Sequence, residues 1–209
     1  MRLMNPFQRL VPHTCSGRRP IGTSTGTYDR DVTTTIRPAG PGDARVLGDL
    51  AAATFPLACP PHATPEAIAE FIRTHLTDTR FADYLADPAR IILLAERDGA
   101  AVGYTMLVGG DPTDDDVRAA VTIVPTIELS KVYTRQDAHG DGVAAPLMAE
   151  TLARAADTGV QGIWLGVNQE NARAIRFYQK QGFSIVGPKT FWVGPQLHHD
   201  YVMERALDA

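Results

Sequence analysis

The chain has 209 residues, 44% of them hydrophobic and 21% charged, with a formal net charge of −4. These are values of a globular chain of about one domain, and the absence of any run of about 18 apolar residues argues against a membrane span. The charge is split: residues 1–30 hold five Arg and one Asp, leaving 15 basic and 23 acidic residues, net −8, in the remainder, a balance that argues against a nucleic-acid partner and suits a cationic one.

Residues 1–30 are rich in Arg, Ser, Thr, Gly and Pro without a sustained period. They read as a disordered tail or an extension, with the folded domain expected over 31–209. No apolar stretch of signal-peptide length occurs there, and Cys15 and Cys59 have neither metal nor disulfide-framework spacing. Plain thiols in a reducing, cytoplasmic setting are expected. Val32–Arg37 is rich in β-branched residues and predicts a first strand, broken by Pro38-Ala39-Gly40-Pro41-Gly42. A helix from Asp43 follows, with Val46, Leu47, Leu50 and Phe55 on its apolar side. Thr64-Pro65-Glu66 opens a second helix with a capping residue, Pro at the first helical position and an acid in the first turn. Ile68, Phe71, Ile72 and Leu76 form its stripe, and a short third helix carries Phe81, Tyr84 and Leu85. Arg90–Glu96 and Ala101–Leu107 flank Asp98-Gly99 and read as a tight hairpin. The acidic segment Asp111–Asp116 reads as a solvated turn or, alternatively, a collar that attracts amines. The spacing then predicts strand Thr126–Tyr133, a helix from Ala145 to Ala156, strand Ile163–Val167 and helix Ala172–Gln181. Phe183–Val186 and Tyr201–Glu204 would close the chain as an antiparallel pair. Short loops and the absence of repeats favour one α/β (α+β) domain whose sheet has parallel and antiparallel parts.

Two segments carry the chemistry. His139-Gly140-Asp141-Gly142-Val143-Ala144 lies between a strand and a helix, with Pro146 in the first helical turn. A strand that turns through small residues into a helix N-terminus leaves amides unpaired and adds partial positive charge, which suits a phosphate. The glycines fit neither the GxGxxG nor the GxxxxGK pattern. The second segment, Asn168-Gln169-Glu170-Asn171 followed by Ala172 to Phe183, gives the spacing Asn-x-x-Ala-x-x-x-Tyr-x-x-x-Gly-Phe.

Together these resemble the acetyl-CoA-binding core of GNAT-type N-acetyltransferases. His139-x-x-Gly142-x-Ala144 matches the pyrophosphate motif Gln/Arg-x-x-Gly-x-Gly/Ala of that family except at its first position. The resemblance runs from about Val32 to Leu207. Within the family it looks nearest to the bacterial spermine/spermidine acetyltransferases, on Thr54-Phe55, Gly103-Tyr104, Glu128-x-x-Lys131-Val132-Tyr133, Ile163–Val167 and Phe191-Trp192-Val193-Gly194. It implies the GNAT fold, a mixed sheet of about seven strands with about four to five helices, and acetyl-CoA as cosubstrate without a metal. It also implies transfer of the acetyl group to a primary amine of a small molecule, a polyamine being one candidate, by a monomer or homodimer. A protein N-terminal or lysine acetyltransferase and a non-catalytic CoA sensor are the alternatives.

Acyl transfer to an amine needs a base, a polarised carbonyl and an acid for the departing sulfur. Tyr178 falls where the family places a Tyr near the CoA sulfur, and it is the candidate acid; the alternative is a packed aromatic beside Phe177. Glu128, a carboxylate inside an apolar strand, is the candidate base, directly or through water, with its pKa raised by burial; otherwise it is a surface charge or a partner for Lys131. By the same likeness, the backbone of Val132, Tyr133 and Thr134 pairs with the pantetheine arm. His139, Gly140, Asp141, Gly142, Val143, Ala144 and Ala145 cradle the phosphates. Asn171 caps its helix, reaches the cofactor, or does both, and Asn168 and Arg173 are candidates of the same kind. The loop Pro56–Ala63, the first two helices and Phe191-Trp192 are expected to frame the acceptor. His198-His199-Asp200 alternates faces in a strand and makes a poor chelate.

Overall fold

The computed structural model describes residues 34–59, 64–138, 142–193 and 196–208. The tail over 1–30, the start of the first expected strand, residues 60–63 and His139, Gly140 and Asp141 lie outside the described residues.

Seven strands form one mixed sheet: β1 (Thr34–Pro38), β2 (Arg90–Arg97), β3 (Ala100–Val108), β4 (Thr126–Thr134), β5 (Gly162–Asn168), β6 (Ser184–Val193) and β7 (Gln196–Ala206). Their spatial order is β1-β2-β3-β4-β5-β7-β6. All neighbours are antiparallel except β4 and β5. The helices are α1 (Ala44–Thr54), α2 (Pro65–His75), α3 (Asp78–Ala86), α4 (Asp115–Ala120), α5 (Ala144–Ala156) and α6 (Ala172–Lys180).

Local chemistry sets these boundaries. The Thr64 side chain accepts a hydrogen bond from Ala67 N at 3.2 Å, and that of Asn171 accepts one from Ala174 N at 3.0 Å. Each satisfies an amide that the first helical turn leaves open. The β2–β3 turn puts Asp98 and Gly99 at φ +51° and +77°, the left-handed pair a tight hairpin needs.

Two apolar layers enclose the sheet. On one face α5 and α6 pack Met148, Leu152, Ala174 and Tyr178 onto Ile127, Leu129, Val132, Leu165 and Met203. The opposite face is covered in two separate pieces. Over β2–β4, α1 and α3 pack Leu47, Leu50 and Phe81 onto Leu94, Tyr104, Met106 and Tyr133. Over β5 and β7, α4 packs Val117 and Ala120 onto Trp164 and Val202.

Three expectations are corrected. Val46 is 41% exposed, because the buried stripe of α1 runs through Leu47, Leu50, Ala51 and Thr54 and leaves it to one side. The second half of the acidic segment is helical: Asp114 caps α4 through Val117 N at 3.1 Å, and Asp116 accepts from Thr190 N at 3.0 Å. The closing strands are 10 and 11 residues long, far beyond the expected four-residue pair. Gly187 and Pro188 hide this extension from propensity. Pro188 is tolerated because β6 is an edge strand, where a missing N–H need not break a ladder.

Candidate active site

The sheet is split between its two parallel strands. β4 and β5 pair only at Thr126↔Gly162, Ile127↔Ile163 and Glu128↔Trp164, although β4 continues to Thr134 and β5 to Asn168. On its other edge β4 stays with β3 up to Gly103↔Thr134, and Ser130 is an extra residue between Met106↔Lys131 and Leu107↔Leu129. A bulge of this kind bends one strand and ends its pairing. It also shifts the alternation of side chains. Ile127, Leu129 and Val132 join the α5/α6 layer, while Tyr133 joins the α1/α3 layer. Glu128 and Lys131, three apart, point the same way, which a regular strand forbids.

Between β2–β5 and the loop that leads into α4 lies an open cleft, and Glu128, Ser130 and Trp164 form part of its wall with Arg90, Asp111 and Asp114. Three carboxylates therefore face it against one guanidinium, and that guanidinium is held by Asp87 Oδ2 at 2.9 Å and lies 4.7 Å over the Tyr84 ring. The collar alternative for Asp111–Asp116 thus fits the geometry in part: Asp111 and Asp114 line the cleft, while Asp116 is tied to β6. Glu128 is half-buried at this wall. Lys131 is buried beside it, and burial pulls its ammonium down to about 8 even though Glu128 pulls the other way. The indole Nε1 of Trp164 is buried with no hydrogen-bond partner among the described residues.

Across the split, on the α6 side, Tyr178 is 1% exposed and packs edge-on against Phe177 and Phe183, with ring centroids 5.5 and 5.9 Å away. Burial first, and the phenol of Tyr133 second, raise its pKa above the usual range. Tyr178 is thus both the packed aromatic and a phenol that keeps its proton until a strong base appears.

At the mouth of the split, α5 begins without a side-chain cap. The same holds for α1, whereas α2, α3, α4 and α6 are each capped by Thr64, Thr77, Asp114 or Asn171. Gly142 sits at φ +79°, a backbone state that side-chain-bearing residues rarely adopt. Val143 is buried under Leu147, Pro146 has no amide, and Leu147 N bonds Val143 O at 3.1 Å. Among the described residues the amides of Ala144 and Ala145 therefore start the helix without a carbonyl below them. On α6, Asn171 is spent as the helix cap, and Nη1 of Arg173 is buried with no hydrogen-bond partner among the described residues. The Asn168 Oδ1 accepts from Glu170 N at 3.0 Å. Of the residues picked from sequence, the structure gathers Glu128, Val132, Tyr133, Thr134, Gly142, Val143, Ala144, Ala145 and Tyr178 around the split, with Asn168, Asn171 and Arg173 at the β5–α6 end. Arg90, Trp164 and Lys131 were not singled out as site residues, because nothing local marks a strand residue that a distant bulge or loop brings to a cleft.

Comparison with known proteins agrees with this geometry. The Acetyltransferase (GNAT) family matches residues 54–183. An uncharacterised N-acetyltransferase of Mycobacterium tuberculosis is 51% identical over 165 residues, covering 79% of this chain and 98% of the relative. The crystal structure of PaiA N-acetyltransferase from Thermoplasma acidophilum in complex with coenzyme A superposes with a TM-score of 0.65 at 18% identity, over 83% of this chain and 99% of that one. A spermidine N-acetyltransferase chimera from Vibrio cholerae and hSSAT gives a TM-score of 0.59, also at 18% identity, over 83% and 95% of the two chains. At such identity these two structures speak for the shared fold, and the spermidine acceptor belongs to the latter protein. With the family match over most of its length, the split sheet and its near relative together, the chain belongs to the GNAT acetyltransferase family and is an N-acetyltransferase.

Proposed function

We propose that the enzyme transfers the acetyl group of acetyl-CoA to a primary amine of a small cationic acceptor, polyamines being one such class, by direct attack in a ternary complex. The observation that carries this reading is the opening of the sheet after Glu128↔Trp164, with an acid-lined cleft on one face and Tyr178 on the other.

The residues fit the coenzyme. The edge of β4 over Val132, Tyr133 and Thr134 runs along the split and receives the pantetheine arm as a strand would. The amides of Gly142 to Ala145, preceded in sequence by His139, Gly140 and Asp141, take the pyrophosphate at the uncapped end of α5. Arg173, with a buried guanidinium nitrogen still open to a partner, suits a phosphate oxygen, and Asn168 and Asn171 flank it. Bound acetyl-CoA supplies an activated thioester, so the chain needs mainly to orient and to move protons. Glu128 takes the proton of the incoming ammonium. The Tyr178 phenol, held neutral by burial, gives its proton to the sulfur as the C–S bond breaks and is restored by the proton that the new amide nitrogen sheds.

The acidic cleft favours a small cation over a protein lysine or N-terminus, which would need an open groove. The presence of both Glu128 and Tyr178 favours turnover over a sensor role. Thermal-shift titration with CoA and acetyl-CoA, followed by thiol release across an amine panel, tests the reading. Stabilisation by both ligands and turnover with cationic amines support it; no shift with either ligand contradicts it.

A further inference from the structure

Two buried carboxylates sit on the cleft-side face of β7, and they are satisfied very differently. Glu204 accepts from Thr122 N at 2.9 Å, Thr122 Oγ1 at 2.7 Å and Ile123 N at 2.8 Å. Asp200 is 6% exposed, and its Oδ1 has no hydrogen-bond partner among the described residues. Opposite Asp200 in the β6–β7 register stands Lys189, itself 2% exposed, with Nζ 3.0 Å from Asp114 Oδ2. One buried ammonium thus stands near two carboxylates. A buried carboxylate in that position either protonates or meets a cation.

The space beside it is open. Asn168 is the β5 partner of Asp200, and Gly166 lies two residues earlier on the same face. A Cβ built at Gly166 meets only Asp200 Oδ2, at 3.7 Å, within 4 Å. The β4 ladder has already ended at Trp164, two residues before Gly166, so the β4-side edge of β5 at Gly166 lies along the split.

We propose that the slot floored by Gly166 and walled by the Asp200 carboxylate is a subsite for a cationic group of the acceptor, of the primary alkylammonium class. This rests on the amine-acceptor reading given above. The ammonium supplies a positive charge and a hydrogen-bond donor for Asp200 Oδ1, which has none among the described residues, while the Asn168 side chain already donates to the carboxylate. Burial pushes the Asp200 carboxyl up to about 7, against the pull of Lys189 and of the hydrogen bond from Asn168. Among the described residues no third His, Cys, Asp or Glu joins it to form a metal cluster.

The test is equilibrium binding of n-butylammonium and 1,4-diaminobutane to the CoA-saturated enzyme, with 1-butanol as the uncharged control. Wild type should bind the amines saturably, and Asp200→Asn should weaken them at least tenfold while CoA affinity stays within twofold. Gly166→Ala is the second variant. Gly166 is not in the left-handed region and its added methyl makes an ordinary contact, so the fold is kept while the slot is filled, and the same loss of amine binding is expected. Equal amine affinity in Asp200→Asn, or no saturable binding of either amine to the wild type, overturns the proposal. Failure of CoA itself to bind overturns the acetyl-CoA reading instead, so the two failures are distinct.

Discussion

The packing of Tyr178 and the acid role proposed for it do not conflict. Its ring is sealed between Phe177 and Phe183, and the same burial keeps its phenol protonated. Tyr178→Phe keeps the packing and removes the proton, so turnover should fall by about 10²-fold or more while CoA affinity changes less than twofold; parallel loss of both, measured by steady-state kinetics and CoA titration, would make its role positional. Glu128 and Tyr178 were picked as candidates from the sequence for different reasons, one as a carboxylate in an apolar strand, the other by its place in a spacing motif. Lys131 was not, because its orientation depends on the bulge at Ser130, and one extra strand residue leaves no compositional trace. Its pH signature is testable. The ammonium titrates at about 8 in the folded chain, against the ordinary lysine value of 10.5 that applies once the chain unfolds. Between these values the unfolded chain binds a proton that the folded chain does not. Stability therefore rises with pH across that window, and the full penalty, of order 3 kcal/mol, applies below pH 8. Lys131→Met should be more stable than wild type at pH 7, and the gap should close by about pH 10.5, as read by denaturant unfolding.

Helix caps were readable as local sequence, and Thr64 and Asn171 act as expected. Replacing Asn171 by Ala should cost about 1 kcal/mol through the lost α6 cap, and more in CoA affinity if the helix end also frames the cofactor. The element that sequence hid is α4. Asp111–Asp116 looks like a solvated run because charge dominates it, yet Asp114 caps α4, lines the cleft and holds the buried Lys189 at once. Asp114→Ala should therefore destabilise the fold by about 1 kcal/mol through the lost α4 cap, and by more because the buried Lys189 loses its 3.0 Å contact and keeps only Asp200 across the strand pair. Lys189→Met in the same background should recover part of that loss in chemical denaturation. The long β6–β7 pair was hidden for a related reason: Gly187 and Pro188 contradict strand propensity, and only the edge position and the register with β7 accommodate them.

At the scale of the molecule, the pattern of β and α runs was enough to give a single mixed sheet with seven strands. The register was beyond the sequence, and the register makes the site: three β4–β5 pairs, then an opening. A ligand filling that opening binds only the folded state, so acetyl-CoA at about 100 times its Kd should add about 2.7 kcal/mol and raise Tm by roughly 5–10 °C. Salt should weaken this shift, since charge–charge contacts to phosphates are screened. The most direct measurement is a crystal structure of the enzyme with CoA. The account predicts pantetheine between β4 and β5 beyond Glu128 and Trp164, with the pyrophosphate on the amides following Gly142. Coenzyme bound elsewhere, with the two strands closed on each other, would contradict it.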